Sequence, residues 1–163
     1  MLNFRLLQMI KSLTVARRLN LGDEWKPLLP AGEYRINFLG YETAIHFGEA
    51  SKLILHFSVA DFGEWFETKL SRYYTVQKLI GKAGSKGRFK AKSQTSVVIT
   101  EFLNCHPDTE IPKRLDRLPM NVWGSSLYLA KVGSVVTNSR QKRLHKQQQY
   151  SKILELLGPS LLP

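Results

Sequence analysis

"SKLILHFSVADFGEWFETKLSRYYTV", residues 51–76, decides the fold. Its first part alternates. Leu53, Leu55, Phe57 and Val59 fall on one face, and Lys52, Ile54, His56 and Ser58 on the other. A period of two marks a half-buried strand. Asp61, Phe62 and Gly63 make a short turn, after which the alternation resumes. Phe66, Leu70 and Tyr74 are expected on the core face of this next strand, with Trp65, Glu67, Lys69, Ser71 and Tyr73 outward. A slip of one residue exchanges Trp65 with Phe66 and Tyr73 with Tyr74, so the register stays open at this level.

Upstream, "WKPLLPAGEYRINFLGYE" (residues 25–42) has Pro27, Pro30 and Gly32 to stop a helix, then a third alternating run. Tyr34, Ile36 and Phe38 share one face; Glu33, Arg35 and Asn37 share the other. Three consecutive strands with short connections read as an antiparallel meander. Downstream, "SQTSVVITEFLNCHPD" (93–108) is expected to be a helix capped by Ser93 and ended by Pro107. Its run of Val97, Val98, Ile99 and Thr100 keeps a strand open as the alternative. "SSLYLAKVGSVVTN" (125–138) supplies a fourth strand, with Tyr128, Ala130 and Val132 on one face and a bulge expected at Gly133. "YSKILELLG" (150–158) is too short for its period to separate strand from helix.

The order is strand, strand, strand, helix, strand, then a last element after a long loop. That is the order of a mainly β, five-stranded OB-like antiparallel barrel with one helix between strands three and four. The chain divides accordingly into an N-terminal helical extension (1–26), the OB-like domain (27–158) and a short tail (159–163). The extension carries Leu2, Leu6, Met9, Ile10 and Leu13 at helical spacing, with arginines and no acid before Asp23. It is expected to pack on the body or on a protein partner. A transit peptide for an organelle is the other reading of that composition.

The 163 residues hold 24 basic and 13 acidic side chains, a net charge of +11. Such an excess is normally matched by a polyanion. Two stretches concentrate it. "KLIGKAGSKGRFKAK" (78–92) has six Lys or Arg, three Gly and no acid, and is expected to be a mobile loop. "SRQKRLHKQQQ" (139–149) also has no acid and would be the loop joining strands four and five, beside the ligand groove of an OB barrel. Neither contains the Gly-Lys-Ser/Thr of a Walker A phosphate loop.

These features point to single-stranded nucleic acid, DNA favoured over RNA. Phosphate contacts are expected from Lys52, Lys69, Lys78, Lys82, Lys86, Arg88, Lys90, Lys92, Arg140, Lys142, Arg143 and Lys146, and base stacking from Trp65, Tyr73 and Phe89. No recognition helix or base-reading fork is evident, so binding should tolerate sequence. No catalytic residue, metal or cofactor is expected. The carboxylates Asp61, Glu64, Glu67, Glu101, Asp108 and Asp116 form no magnesium motif, and the single Cys105, with scattered His46, His56 and His145, gives no zinc spacing. One cysteine fits a reducing, cytoplasmic setting, in a bacterial or phage-infected cell, and no apolar run is long enough for a membrane span. Self-association is left open.

"LPAGEYRINFLGYETA" (29–44) followed by "SKLILHFSVADFGEWFETKLSRYYTVQKLIGK" (51–82) resembles the opening half of OB-fold single-stranded DNA-binding proteins of phages and mobile genetic elements. The similarity covers about residues 30–82. It implies coating of single strands in replication or recombination. The ending "ELLGPSLLP" lacks the acidic tail by which many such proteins recruit partners. Two other readings stand beside it: a non-catalytic basic subunit of a larger nucleoprotein assembly, and a protein that binds structured RNA by shape.

Overall fold

The computed structural model describes residues 28–46, 49–110 and 113–161; the expected N-terminal helix lies outside them. Among the described residues the chain is mainly β, with strands β1 (Gly32–His46), β2 (Ala50–Val59), β3 (Lys69–Thr75), β4 (Lys78–Ile80), β5 (Gly84–Ser85), β6 (Arg88–Lys90), β7 (Tyr128–Val135) and β8 (Tyr150–Pro159). A single α-helix in this set, α1, spans Val97–Cys105. The main sheet runs β3-β2-β1-β7-β8, with β5 added to β1, and β4 and β6 form a separate two-stranded ribbon. No helix here is long and apolar enough to cross a membrane.

The described residues fall into two compact units, one of residues 29–133 with 152–161, the other of residues 134–151. In the first, β2 supplies the centre of the core. Leu53, Leu55, Phe57 and Val59 are all buried, as their alternation dictates. Each such side chain contributes about 1.5–3 kcal/mol by leaving water. Ile36 of β1, Leu70 and Tyr74 of β3, and Tyr128, Ala130 and Val132 of β7 complete that layer. Ile54, whose alternation points outward, is also buried.

Strand β3 is shorter than its sequence pattern. Residues 61–67 form the turn, where Glu67 takes a positive φ of 65°. The turn is pinned to β1: Asp61 accepts from the Arg35 side chain (2.6 Å) and backbone N–H (2.9 Å). Arg35 is therefore engaged with Asp61. Helix α1 begins at Val97, later than expected, because Ser96 rather than Ser93 is the boundary residue; the Ser96 hydroxyl donates to the Ser93 carbonyl. Gly133 lies within β7, where a Cβ would meet Leu154 Cδ1 at 2.6 Å, so its role is to make room for that side chain. The last element, left open by its period, is the strand β8.

Residues 78–92 hold the three short strands β4, β5 and β6 joined by tight turns, which corrects the expected mobile loop. Lys78, Leu79 and Ile80 pair with Lys90, Phe89 and Arg88. Gly84 and Ser85 pair with Thr43 and Glu42 of β1. The segment lies flush on β1 because Gly87 has no side chain: a Cβ there would overlap Thr43 Oγ1, and that hydroxyl accepts the Gly84 N–H at 3.3 Å.

Helix α1 closes the core with Val98, Ile99, Phe102 and Cys105. Burial, then Glu101, pushes the Cys105 thiol up to about 12, so it stays a protonated core residue. His106, just beyond the helix, sits 4.5 Å from the Trp123 ring and 5.4 Å from Tyr128. Its Nδ1 faces the Phe102 carbonyl at 3.1 Å, which can only accept, so Nδ1 carries the proton. Its Nε2 accepts the Tyr128 hydroxyl at 2.8 Å, and that oxygen accepts the Gly124 N–H. Burial lowers the imidazole pKa below 6.5, with the Phe102 hydrogen bond opposing. The unfolded chain then binds the proton more readily. Stability contributed by His106 is present above about pH 6.5 and is lost as pH falls from there through the folded-state value. The urea midpoint should drop between pH 7.5 and 5.5, and His106→Gln, which cannot titrate, should flatten that dependence. An unchanged pH profile in the variant would refute this role.

Candidate nucleic-acid interface

A bulge positions the candidate site. The β1–β2 register runs Ile36–Val59, Asn37–Ser58, Phe38–Phe57, then jumps to Gly40–His56 and Tyr41–Leu55. Leu39 is the extra residue. Phe38 before the bulge and Tyr41 after it therefore both pair with inward-facing residues of β2, while Gly40 and Glu42 join the outer face with His56. A groove of about 780 Å³ opens at this break. Its walls are the rings of Phe38, Tyr41 and Trp123, with Met120 and Asn121 from the short 3-10 turn Met120–Val122. Its polar rim is Glu42, His56, Lys69, Ser85 and Lys86.

Each polar group has a structural reason to be there. Lys69 is the outward residue at the start of β3, paired across from Ser58. Lys86 follows β5 in a positive-φ conformation (53°), its N–H bonded to the Tyr41 carbonyl at 3.1 Å. Both lysines are exposed, and among the described residues neither lies within ion-pair distance of a carboxylate. Aromatic faces beside unpaired cations are the components of a single-strand site: rings stack bases, lysines hold phosphates. Phe38 is itself braced, edge-on to Phe57 at 5.6 Å and stacked on Trp123 at 5.8 Å.

The expected contact residues are distributed unevenly. Lys69 and Lys86 meet at the groove. Lys52 and Tyr73 lie on the outer face of β2 and β3, where Lys52 Nζ donates to Thr75 (2.5 Å) and the Tyr73 ring stands 6.4 Å from His46. Lys78, Lys82, Arg88, Lys90 and Lys92 belong to the ribbon and its flanks, without a carboxylate partner among the described residues. Phe89 is not a stacking residue. Alternation along β6 sends Arg88 and Lys90 outward and Phe89 into the core, 5% exposed. Trp65 does not project from a strand either. It sits in the 61–67 turn and packs, half-buried, against the core.

Arg140, Lys142, Arg143 and Lys146 belong to the second unit. Residues 137–143 form a tight turn, with Asn138 Oδ1 accepting from the N–H groups of Arg140 (2.9 Å) and Lys142 (3.0 Å). The four cations are exposed, and 134–151 contains no acid.

Phe38, Tyr41, Glu42, Met120, Asn121 and Trp123 were not anticipated at the site. One local signal was present: Gly40 within an otherwise regular strand pattern marks a bulge. Met120 to Trp123 come from an irregular stretch whose placement depends on the whole fold. Among the described residues no three His, Cys, Asp or Glu side chains gather to hold a metal ion. No family model matches the chain, and neither a curated protein nor a solved structure matches it.

Proposed function

We propose that the chain is a non-catalytic single-stranded DNA-binding protein, broadly tolerant of sequence, built on an OB-type barrel left open at one seam. Five long strands with the helix between the third and fourth support the fold, since closing this sheet would pair its end strands β3 and β8. The resemblance of residues 30–82 supports a role in replication or recombination of a phage or mobile element. The observation that carries the function is the groove itself, where the half-buried rings of Tyr41 and Phe38 lie beside Lys69 and Lys86, which have no ion-pair partner among the described residues.

The test is a titration of labelled single-stranded DNA, duplex DNA, single-stranded RNA and structured RNA at about 50 and about 200 mM salt. Tight, salt-sensitive binding that prefers single-stranded DNA is the expected result. Preference for structured RNA, or no binding at all, refutes the proposal. Tyr41→Ala should weaken single-strand binding about tenfold by loss of a stacking surface, leaving the salt slope unchanged. Replacing both Lys69 and Lys86 with Gln should instead flatten the slope by about 1.4. Circular dichroism verifies folding of each variant.

A further inference from the structure

We infer that Glu42 selects, at one position of the bound strand, a base with an exocyclic amino group, guanine best, and disfavours thymine. The inference rests on the single-strand reading of the groove and adds a preference to it.

A carboxylate is out of place in a groove that attracts phosphate. Its simplest role would be to neutralise a neighbouring lysine, but the side chain beside it is His56, at 3.3 Å, and neither Lys69 nor Lys86 is within reach. The arrangement holds the carboxylate in place. His56 Nδ1 lies 3.0 Å from the Ser71 hydroxyl, and Nε2 faces Glu42 Oε1. Ser71 thus holds the imidazole from its Nδ1 side, with the Nε2 edge turned to the Glu42 carboxylate. Register places the residues to match: Ser71 lies opposite His56, and Glu42 opposite the next-but-one residue, Ile54. Among the described residues no hydrogen bond occupies the Glu42 carboxylate, so both of its oxygens can accept from a ligand.

A phosphate would be repelled there, so the position suits a base edge with donors. Guanine presents N1–H and its 2-amino group as a fork that one carboxylate accepts. Cytosine and adenine offer one amino group each. Thymine offers a lone N3–H between two carbonyl oxygens, which oppose a carboxylate. A base-edge contact of this kind discriminates by roughly 5- to 150-fold.

The experiment compares two labelled single strands of about 12 nucleotides, all thymidine, or thymidine with guanines in the central third, bound to wild type and to Glu42→Ala. Wild type should bind the guanine strand about tenfold tighter. In the variant the guanine strand should bind more weakly while the thymidine strand binds the same or tighter, because a repulsive charge has gone. A merely structural Glu42 would weaken both together. Equal wild-type affinity for the two strands, or a preference that survives in Glu42→Ala, overturns the inference and leaves the proposed function standing. Failure to bind either strand overturns both.

Discussion

Glu101→Ala is expected to cost about 3–5 kcal/mol of stability, the cost of breaking a buried ion pair from one side. Glu101 lies on α1, 3% exposed. Its carboxylate accepts from Arg72 Nε (3.0 Å) and Nη2 (2.5 Å), from the Tyr74 hydroxyl (3.1 Å) and from the Leu156 backbone N–H (2.7 Å). Arg72 and Tyr74 stand on β3, and Leu156 on β8, the two ends of the sheet path. One side chain thus links the strands that the ladder leaves unjoined. Burial, then Glu101, holds the Tyr74 hydroxyl pKa well above 10, so the phenol stays a donor at neutral pH. Alanine would strand a partly buried guanidinium stacked on the Tyr74 ring at 4.7 Å, and a phenol and a peptide N–H that are buried. Against a typical total of about 5–15 kcal/mol, that is a large fraction of the stability. Urea denaturation measures it. The double variant Arg72→Met with Glu101→Leu should recover part of the loss, since an apolar pair removes both charges together, while the Tyr74 hydroxyl and the Leu156 N–H stay unpaired. A loss under about 1 kcal/mol for Glu101→Ala would show that water already serves those donors.

That network also marks the limit of sequence reading. The alternation of β2 was legible because burial of every second residue is a local rule, and all four inward side chains obey it. Helix α1 was legible for the same kind of reason, even though Val97, Val98 and Ile99 argue against a helix. The partners of Glu101 were not. A carboxylate on an apolar face has no local signature that names a guanidinium 29 residues away. The last strand resisted for another reason: its buried residues Ile153, Leu156 and Gly158 follow neither a period of two nor of 3.6.

At the site, charge was legible and geometry was not. The basic composition of residues 78–92 correctly located a cation-rich surface, but three glycines read as looseness where they serve ordered turns and a close approach to Thr43. Phe89 read as a stacking ring because it is the lone aromatic in a charged run. Three residues of β6 are too few for alternation to show on their own; pairing with β4 and burial against the core decide the face. Tyr41 and Phe38 were hidden by the bulge, since an unbroken alternation would send Tyr41 to the opposite face from Phe38.

Lys78→Glu combined with Arg88→Glu is expected to move stability and function in opposite directions. On the ribbon Lys78 pairs directly with Lys90, and Arg88 with Ile80. Like charges facing each other across two strands destabilise, by roughly 0.2–1 kcal/mol. Glutamate at 78 would turn that repulsion into an attraction with Lys90, so the double variant should be as stable as wild type or slightly more so. Affinity for single-stranded DNA should fall by about 30-fold or more at low salt, and the salt slope should flatten by about 1.4, since each lost phosphate contact removes about 0.7 from it. Anisotropy titration and urea denaturation of the same preparation give both quantities. An ordinary surface residue would show no such opposition, because a charge kept only for solubility has no reason to sit where it strains its own ribbon. A variant that gains stability and keeps full affinity would therefore remove the ribbon from the binding surface, and would leave the groove at the β1 bulge to hold the strand without it.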